Sequence, residues 1–270
     1  MTEQTQIPAV QVKELRDLTG AGMMDAKRAL VETNGDLEAA RQLLREQGLA
    51  SAGKRAGRET SEGTVVSRVE GPRGAMVAVG CETEPVSGNE EFLGFAQNLL
   101  DVVWAEGPEA AEALEEERVE LVAKLGENIV VVGAERYEGA EDEVVADYIH
   151  PPARKIGVLV RAKATPELAR MLAMHIAAAR PQYLTRDEIP EQEIAEERSV
   201  YEKLPEVESK PEDVRPKIVE GMMAKRFFAA SVLLDQAWVH DPNLTVAKAL
   251  AERDAEVRAF VRYNVGAEAE

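Results

Sequence analysis

The stretch TVVSRVEGPRGAMVAVGCETE, residues 64–84, predicts a β-hairpin. Val65, Ser67 and Val69 alternate before the turn-forming residues 71–74, and apolar residues continue from Met76 to Val79 after them. The next stretch, NEEFLGFAQNLLDVVWA at residues 89–105, has apolar residues at helical spacing. A hairpin followed by an amphipathic helix is therefore predicted here.

The same pattern recurs later in the chain. EVVADYIHPPARKIGVLVRAKA, residues 143–164, predicts a second strand pair around a Pro-rich turn, and ELARMLAMHIAAA, residues 167–179, predicts a second apolar-faced helix. The intervening residues 115–139 supply a further helix and a third strand. We expect an α+β fold with two related antiparallel three-stranded sheets, each covered by helices.

Before the first hairpin, a glycine loop at residues 19–24 runs into a helix. It carries no cation, and Asp25 would repel a phosphate, so a tight turn between helices is favoured over nucleotide binding. Apolar spacing and the Asn34-Gly35-Asp36 stop predict three short helices. Met23 and Met24 are adjacent and face directions about 100° apart, so one of them should be exposed as an adaptable contact.

Other segments separate or extend these units. Residues 51–63 have no apolar periodicity and are expected to form a linker, which can begin with a continued helix. Residues 191–234 predict two helices interrupted by Pro205, Pro211 and Pro216, which fits a helical hairpin projecting from the body. The last segment predicts a helix and then a strand over residues 257–265.

Composition restricts the classes of partner. The formal net charge of −18 would repel nucleic acid and anionic membranes, so proteins or small molecules are the expected partners. The single cysteine excludes an internal disulfide, and the start of the chain lacks a signal-peptide pattern. No apolar run approaches a membrane span, so a soluble, cytoplasmic protein is expected.

No catalytic or metal-binding constellation is evident in the sequence. The three histidines share no ligand spacing, and no nucleophile elbow occurs. His175 lies beside an apolar helical stripe, which favours a core or boundary position over a functional one. Residues 82–88 follow a strand, contain Pro85 and precede an expected N-cap at Asn89, so they predict an exposed loop on a rigid scaffold.

Six segments together resemble the bacterial translation elongation factor Ts family, and they span nearly the whole chain. They are VKELRDLTGAGMMDAKRALVETNGDLEAA at residues 12–40, CETEPVSGNEEF at 81–92, KIGVLV at 155–160, MHIAAARPQYL at 174–184, KIVEGMM at 217–223 and FVRYNVG at 260–266. One such match is weak evidence, whereas six in the family's order are specific.

The resemblance implies a guanine-nucleotide exchange factor for the GTPase elongation factor Tu. Such a protein is not an enzyme, uses no cofactor and no metal, and binds neither nucleotide nor nucleic acid directly. The implied domains are a UBA-like helical domain at residues 1–50, the linker at 51–63, core subdomains at 64–143 and 144–262, and a tail at 263–270, with the helical hairpin at 191–234 inside the second subdomain. The implied partner-binding residues are Leu15, Met23, Met24, Glu84, Pro85, Val86, Ile156, Gly157 and His175.

One departure from the family pattern leaves two hypotheses open. Where the family reads Thr-Asp-Phe-Val and its Asp-Phe pair is thought to push between helices of the GTPase, this chain has Thr83-Glu84-Pro85-Val86. A buried aromatic side chain can contribute a few kcal/mol at an interface, and Pro85 has no such ring. The first hypothesis is the exchange factor, and the alternative is a non-exchanging binding or scaffold protein for elongation factor Tu.

Overall fold

The computed structural model describes residues 7–266, apart from the side chains of Leu49 and Ser51. Residues 1–6 of the predicted amino-terminal domain and residues 267–270 of the predicted tail lie outside the described residues. Within the described part of the chain, antiparallel sheets and helices confirm the expected α+β class.

The predicted hairpin forms strands β1 and β2. β1 is Glu62–Glu70 and β2 is Arg73–Cys81, with Gly71 at φ +59° in the two-residue turn. The third strand, β3 (Ile129–Glu138), pairs with β2, which gives the order β1-β2-β3. The second sheet has the order β4-β5-β8, from β4 (Val144–Ile149), β5 (Ile156–Lys163) and the carboxy-terminal β8 (Glu256–Asn264).

Helices cover one face of each sheet. In the first half these are α4 (Glu84–Ser87), α5 (Glu90–Glu106) and α6 (Glu115–Leu125), with a 3₁₀ turn at Pro108–Leu114 between the last two. Phe92, Phe95 and Leu99 of α5 are buried against Val77 and Val79 of β2. In the second half, α7 (Pro166–Ala179) packs on β4 and β5, and α12 (Val246–Ala251) contributes Val246, Ala249 and Leu250 to the same buried cluster.

The other faces of the two sheets pack against each other, which the sequence analysis did not predict. Val65 and Met76 from the first sheet share a buried cluster with Val145 and Leu159 from the second. Glycines allow this close approach. A Cβ added at Gly157 would overlap Val65 and lie 3.0 Å from the Met76 sulfur.

Three helices precede the first sheet and have their own small core. They are α1 (Ala9–Thr19), α2 (Met23–Glu32) and α3 (Leu37–Arg55), and Leu15 and Leu30 are fully buried between them. Asp36 caps α3 by accepting hydrogen bonds from the N–H groups of Glu38 and Ala39, both at 3.0 Å. α3 is longer than the three-helix unit requires because Ala52 packs on the core of the first sheet.

Several predicted boundaries therefore shift. The predicted linker at 51–63 is helical up to Arg55, and β1 already begins at Glu62, so the connection without helix or strand is residues 56–61. Strand β8 extends to Asn264 because it pairs with β5 as far as Ile156. The second subdomain therefore includes residues 263 and 264, which were predicted to belong to the tail.

Residues 191–234 are mainly helical and build a separate cluster. The helices are α8 (Glu191–Glu202), α9 (Pro205–Glu208), α10 (Arg215–Met222), a π-helical stretch at Met223–Phe228 and α11 (Ala229–Ser231). Tyr201, Val219 and Met223 are buried together. A two-stranded sheet of β6 (Ala237–Trp238) and β7 (Asp241–Thr245) follows, which was not predicted from the sequence.

Across residues 7–266, every helix is too short or too polar to cross a membrane.

Alanine should have opposite effects on stability at two glycines, one at the contact between the sheets and one on an exposed helix face. Gly157→Ala should lower the free energy of unfolding by about 1–3 kcal/mol, because the new methyl group overlaps Val65. Gly94→Ala is the matched control on an exposed face of α5, where an added Cβ meets no atom within 4 Å. It should raise stability by roughly 0.5–1 kcal/mol through helix propensity. Urea denaturation measures both, and equal effects of the two substitutions would contradict this packing.

Candidate partner-binding surfaces

The residues predicted to form an exposed loop after β2 instead include one turn of helix. Helix α4 covers Glu84–Ser87, and Pro85 stands in its first turn, where the missing N–H costs no intrahelical hydrogen bond. The Ser87 hydroxyl donates to the Glu84 carbonyl at 2.8 Å. Asn89 caps the following helix as predicted, with its side chain 2.8 Å from the Glu91 N–H.

The carboxylate of Glu127 anchors the start of α4. Its Oε2 accepts hydrogen bonds from the N–H groups of Glu82 and Thr83 at 3.1 and 3.0 Å, and its Oε1 accepts from the Thr83 hydroxyl at 2.6 Å. Hydrogen bonds to a charged acceptor are stronger than those between neutral groups. Glu127 therefore holds the backbone from which α4 begins.

Glu82, in the segment before α4, also bonds to the segment after α6. Its carboxylate accepts a hydrogen bond from the Asn128 N–H at 2.6 Å and forms an ion pair with Arg58 at 3.3 Å. The Asn128 side chain in turn donates to the Arg58 carbonyl at 2.8 Å. The residues before α4 and the residues after α6 thus hold each other in a fixed position.

This support leaves the tip of α4 accessible. Glu84 and Pro85 are exposed, whereas Val86 is half-buried against the core of the first sheet. Among the three predicted contact residues in this turn, Glu84 and Pro85 present their side chains to solvent, and Val86 contributes mainly to packing.

Cys81 lies beneath this turn and is fully buried. Burial, with a smaller contribution from the charge of Glu127, raises the pKa of the Cys81 thiol to about 12. The thiol is therefore protonated at neutral pH and is not a nucleophile.

The glycine turn between α1 and α2 forms a second exposed surface. Gly20 ends α1 in the left-handed region at φ +67°, and its N–H donates to the Arg16 carbonyl at 2.7 Å. Met23 and Met24 are both exposed, at 47% and 66%, whereas the sequence required only one of them to be. Leu18, next to the turn, is 61% exposed.

Leu15 lies inside the three-helix unit, so its direct contact with a partner stays a prediction that would require movement of its neighbours. It was predicted as a partner-binding residue, but its side chain is fully buried in the core of the three helices. It lies three residues before the exposed Leu18, on the face of α1 that packs against α2 and α3. In this conformation Leu15 supports the surface from inside and Leu18 contributes to it.

The end of α6 connects the glycine turn with the residues around α4. Lys124 lies against Gly20, where an added Cβ would overlap its side chain. The Lys124 ammonium forms an ion pair with Glu91, in the first turn of α5, at 2.6 Å. Three residues later, Glu127 binds the backbone before α4. The carboxy-terminal end of α6 therefore contacts both predicted surfaces, the glycine turn and the segment before α4.

The other predicted residues lie in the second half of the fold and are mostly inside it. Ile156 is half-buried at the start of β5, and Gly157 is buried between the two sheets. His175 is fully buried, as its position beside an apolar stripe predicts. A direct contact of Gly157 or His175 with a partner remains a prediction from the resemblance, and it would require movement of their neighbours.

His175 joins α7 to the chain that follows the helical segment. The Val239 N–H donates to Nδ1 at 3.3 Å, which leaves the proton on Nε2, 3.0 Å from the Gln236 side-chain oxygen. The Gln236 amide donates to the carbonyls of Ala179 and Ala230, at 3.1 and 2.7 Å. Burial, above all, lowers the pKa of His175, so the ring is neutral at pH 7.

Glu127, Lys124 and Gln236 were not among the predicted functional residues. Glu127 bonds to Thr83 across 44 positions of sequence, and Gln236 to His175 across 61, so no local pattern indicates either pair. Gly126 gives a partial signal, because a glycine after a helix commonly ends it in the left-handed conformation, here at φ +78°.

Comparison with known proteins extends over the whole chain. The family model described as Elongation factor TS matches residues 82–267. The curated protein named Elongation factor Ts from Cronobacter sakazakii is 41% identical over 266 residues, which cover 97% of this chain and 92% of that protein. The protein of the same name from Vibrio cholerae serotype O1 is 41% identical over 96% of this chain and 92% of its own length. The one from Shewanella putrefaciens is 42% identical over 96% of this chain and 91% of its own length.

The buried histidine predicts a pH-dependent part of the stability. Since the folded state lowers the pKa of His175, unfolded chains bind the proton more readily, and stability falls as the pH drops below about 6.5. Urea unfolding from pH 8 to pH 5 should show a loss of stability that is absent in His175→Gln. Comparing each protein with itself at pH 8 removes the constant cost of the substitution. Identical pH profiles would contradict this role.

Proposed function

The chain belongs to the elongation factor Ts family and is a translation elongation factor, and from this premise we propose that it binds elongation factor Tu and speeds the release of GDP. The observation that best supports this proposal is the exposed turn at Glu84 and Pro85, which stands where the family's second signature lies and is held on a rigid base.

The chemistry required is linkage between two binding events. A protein that binds the nucleotide-free GTPase more tightly than its GDP form must lower the affinity for GDP by the same factor. No bond of the nucleotide changes, so the chain acts as an exchange factor and not as an enzyme.

Helix α4 supplies the group that would disturb the nucleotide site. The exposed carboxylate of Glu84 would approach the magnesium and phosphate region of the GTPase, where a negative charge opposes the bound phosphates. The anchor at Glu127 reduces the freedom that α4 loses on binding, which favours affinity. Glu84 is therefore the acting group in this proposal, and Glu127 is a positioning residue.

The remaining family features extend the proposal. The three helices α1–α3 form a UBA-like domain whose exposed Met23 and Met24 contact the nucleotide-binding domain of elongation factor Tu. Ile156, Gly157 and His175 support further contact from the second half of the fold. Residues 191–234 form a projecting helical hairpin, and the protein acts in the cytoplasm, where translation takes place.

Pro85 favours a second candidate, a protein that grips the GTPase without expelling nucleotide. The family pattern has an aromatic wedge at this position, and Pro85 cannot replace its buried area. Because the side chain at position 85 is exposed, the absence of an aromatic ring there does not disturb the packing of α4.

Release of fluorescent GDP from elongation factor Tu separates the two candidates. The exchange factor should accelerate the loss of signal in proportion to its concentration. Binding that leaves the GDP off-rate unchanged would support the scaffold protein. An absence of any binding would refute both.

Pro85→Phe tests the contribution of the missing wedge. If an aromatic ring at this place contributes to exchange, the rate should rise by about tenfold, which corresponds to roughly 1.4 kcal/mol. Loss of the proline should cost only about 0.4–1 kcal/mol of stability. The matched control is Pro72→Phe in the exposed turn at the other end of the β1–β2 hairpin, which should leave exchange unchanged. An equal response to both substitutions would contradict a specific role of residue 85.

A further inference from the structure

Strand β8 forms an outer edge of the second sheet. In an antiparallel pair, the backbone groups of successive residues point alternately toward the partner strand and away from it. The Val265 N–H donates to the Lys155 carbonyl on the β5 side at 2.9 Å. The regular register from Asn264 back to Ala259 therefore directs the N–H and C=O of Phe260 toward the open edge.

A cleft of about 540 Å³ lies beside this edge. Its walls are the β8 residues 258–262 and the chain that follows α7, residues 180–188. Three arginines, Arg180, Arg258 and Arg262, and one carboxylate, that of Glu188, line it. Arg258 is ion-paired with Glu143 and Glu256, and the Nε of Arg262 donates to the Ala177 carbonyl at 3.4 Å. The Glu188 carboxylate accepts a hydrogen bond from the Leu184 N–H at 2.7 Å, within its own loop. Arg180 and Arg262 therefore leave the cleft with a small excess of positive charge, on a chain with a net charge of −18.

The side chains along the edge have a defined order. Phe260 and Arg262 are opposite Val160 and Val158 of β5, which face the helices, so both project on the helix side of the sheet. Arg180 is exposed on the facing wall. A strand added beside β8 would place alternate side chains next to Phe260 and next to Arg262.

We propose that the open edge of β8 binds an extended acidic segment of a partner protein by strand addition. Two residues of that segment, separated by one, define its chemistry. One is apolar and lies beside Phe260, and the other is a carboxylate beside Arg262 and within reach of Arg180. The backbone of the segment pairs with the outward N–H and C=O of Phe260.

A peptide fits this edge better than a nucleic acid does. A strand edge offers alternating donors and acceptors, and a peptide backbone supplies both in the matching spacing. A nucleic-acid backbone has phosphate acceptors and, in RNA, 2′-hydroxyl groups, but it does not repeat donors and acceptors at the spacing of a strand edge. This site is separate from the proposed exchange function, because no residue of the glycine turn or of α4 lines the cleft.

Fluorescence anisotropy with the full chain tests the proposal. The probe, called the Glu-Val peptide, is a short fluorescein-labelled peptide with the repeat Val-Ser-Glu-Ser, in which Val and Glu are separated by one residue and so lie on the same face of a strand. It is used at an ionic strength of about 0.15 M. It should bind, whereas the same peptide with Lys in place of Glu should not. Arg180→Glu should weaken binding at least about tenfold through charge repulsion. Arg170→Glu, at an exposed arginine on α7 outside the cleft, is the matched control and should bind like the original chain.

Two further probes distinguish strand addition from attraction between charges. N-methylation of the Val and Glu residues, which lie opposite Phe260 and Arg262, keeps the charge of the Glu-Val peptide but removes the N–H donors that would face β8, and it should abolish binding. A labelled single-stranded RNA oligonucleotide should not bind. The proposal is wrong if the methylated peptide or the Lys peptide binds equally well, if the RNA binds in place of the Glu-Val peptide, or if Arg180→Glu and Arg170→Glu have the same effect.

Discussion

The close packing of the two sheets is the constraint on which the rest of the fold depends. Gly74, Gly133 and Gly157 each face a side chain of the opposite sheet at a distance that leaves no room for a Cβ. Their partners are Val145, Tyr263 and Val65 in turn. Since the inner faces are buried in this way, the helices must cover the outer faces. The central strand β2 ends at Cys81, and α4 begins at Glu84, with two residues between them.

The position of α4 then depends on a few charged and polar groups, in addition to the packing of Val86 on the core of the first sheet. Gly126 turns the chain after α6 in the left-handed conformation, which brings Glu127 to the N–H groups of Glu82 and Thr83. Lys124, one turn earlier, contacts the glycine turn of the first three helices and pairs with Glu91. One helix end therefore positions two exposed surfaces, and a change there would alter both together.

The sequence predicted the elements well where a local pattern defines them. The alternation around residues 71–74 predicted the hairpin, and the spacing of Phe92, Phe95 and Leu99 predicted the buried face of α5. A signal for the sandwich was also present, because Met76 and Ala78 on one face of β2 are as apolar as Val77 and Val79 on the other. Both faces of that strand must be buried, by helices on one side and by the second sheet on the other.

The site was less predictable because its contacts join distant residues. The partners of α4 and His175 are distant in sequence, and no local pattern showed that the side chain of Leu15 lies in the core of the three helices.

Removing the anchor of α4 tests most directly whether its fixed position drives exchange. In Glu127→Ala, we expect faster hydrogen exchange at the amides of Glu82 and Thr83 and slower GDP release from elongation factor Tu, while Glu120→Ala on the same chain segment changes neither. Loosened amides with an unchanged rate of GDP release would contradict this account.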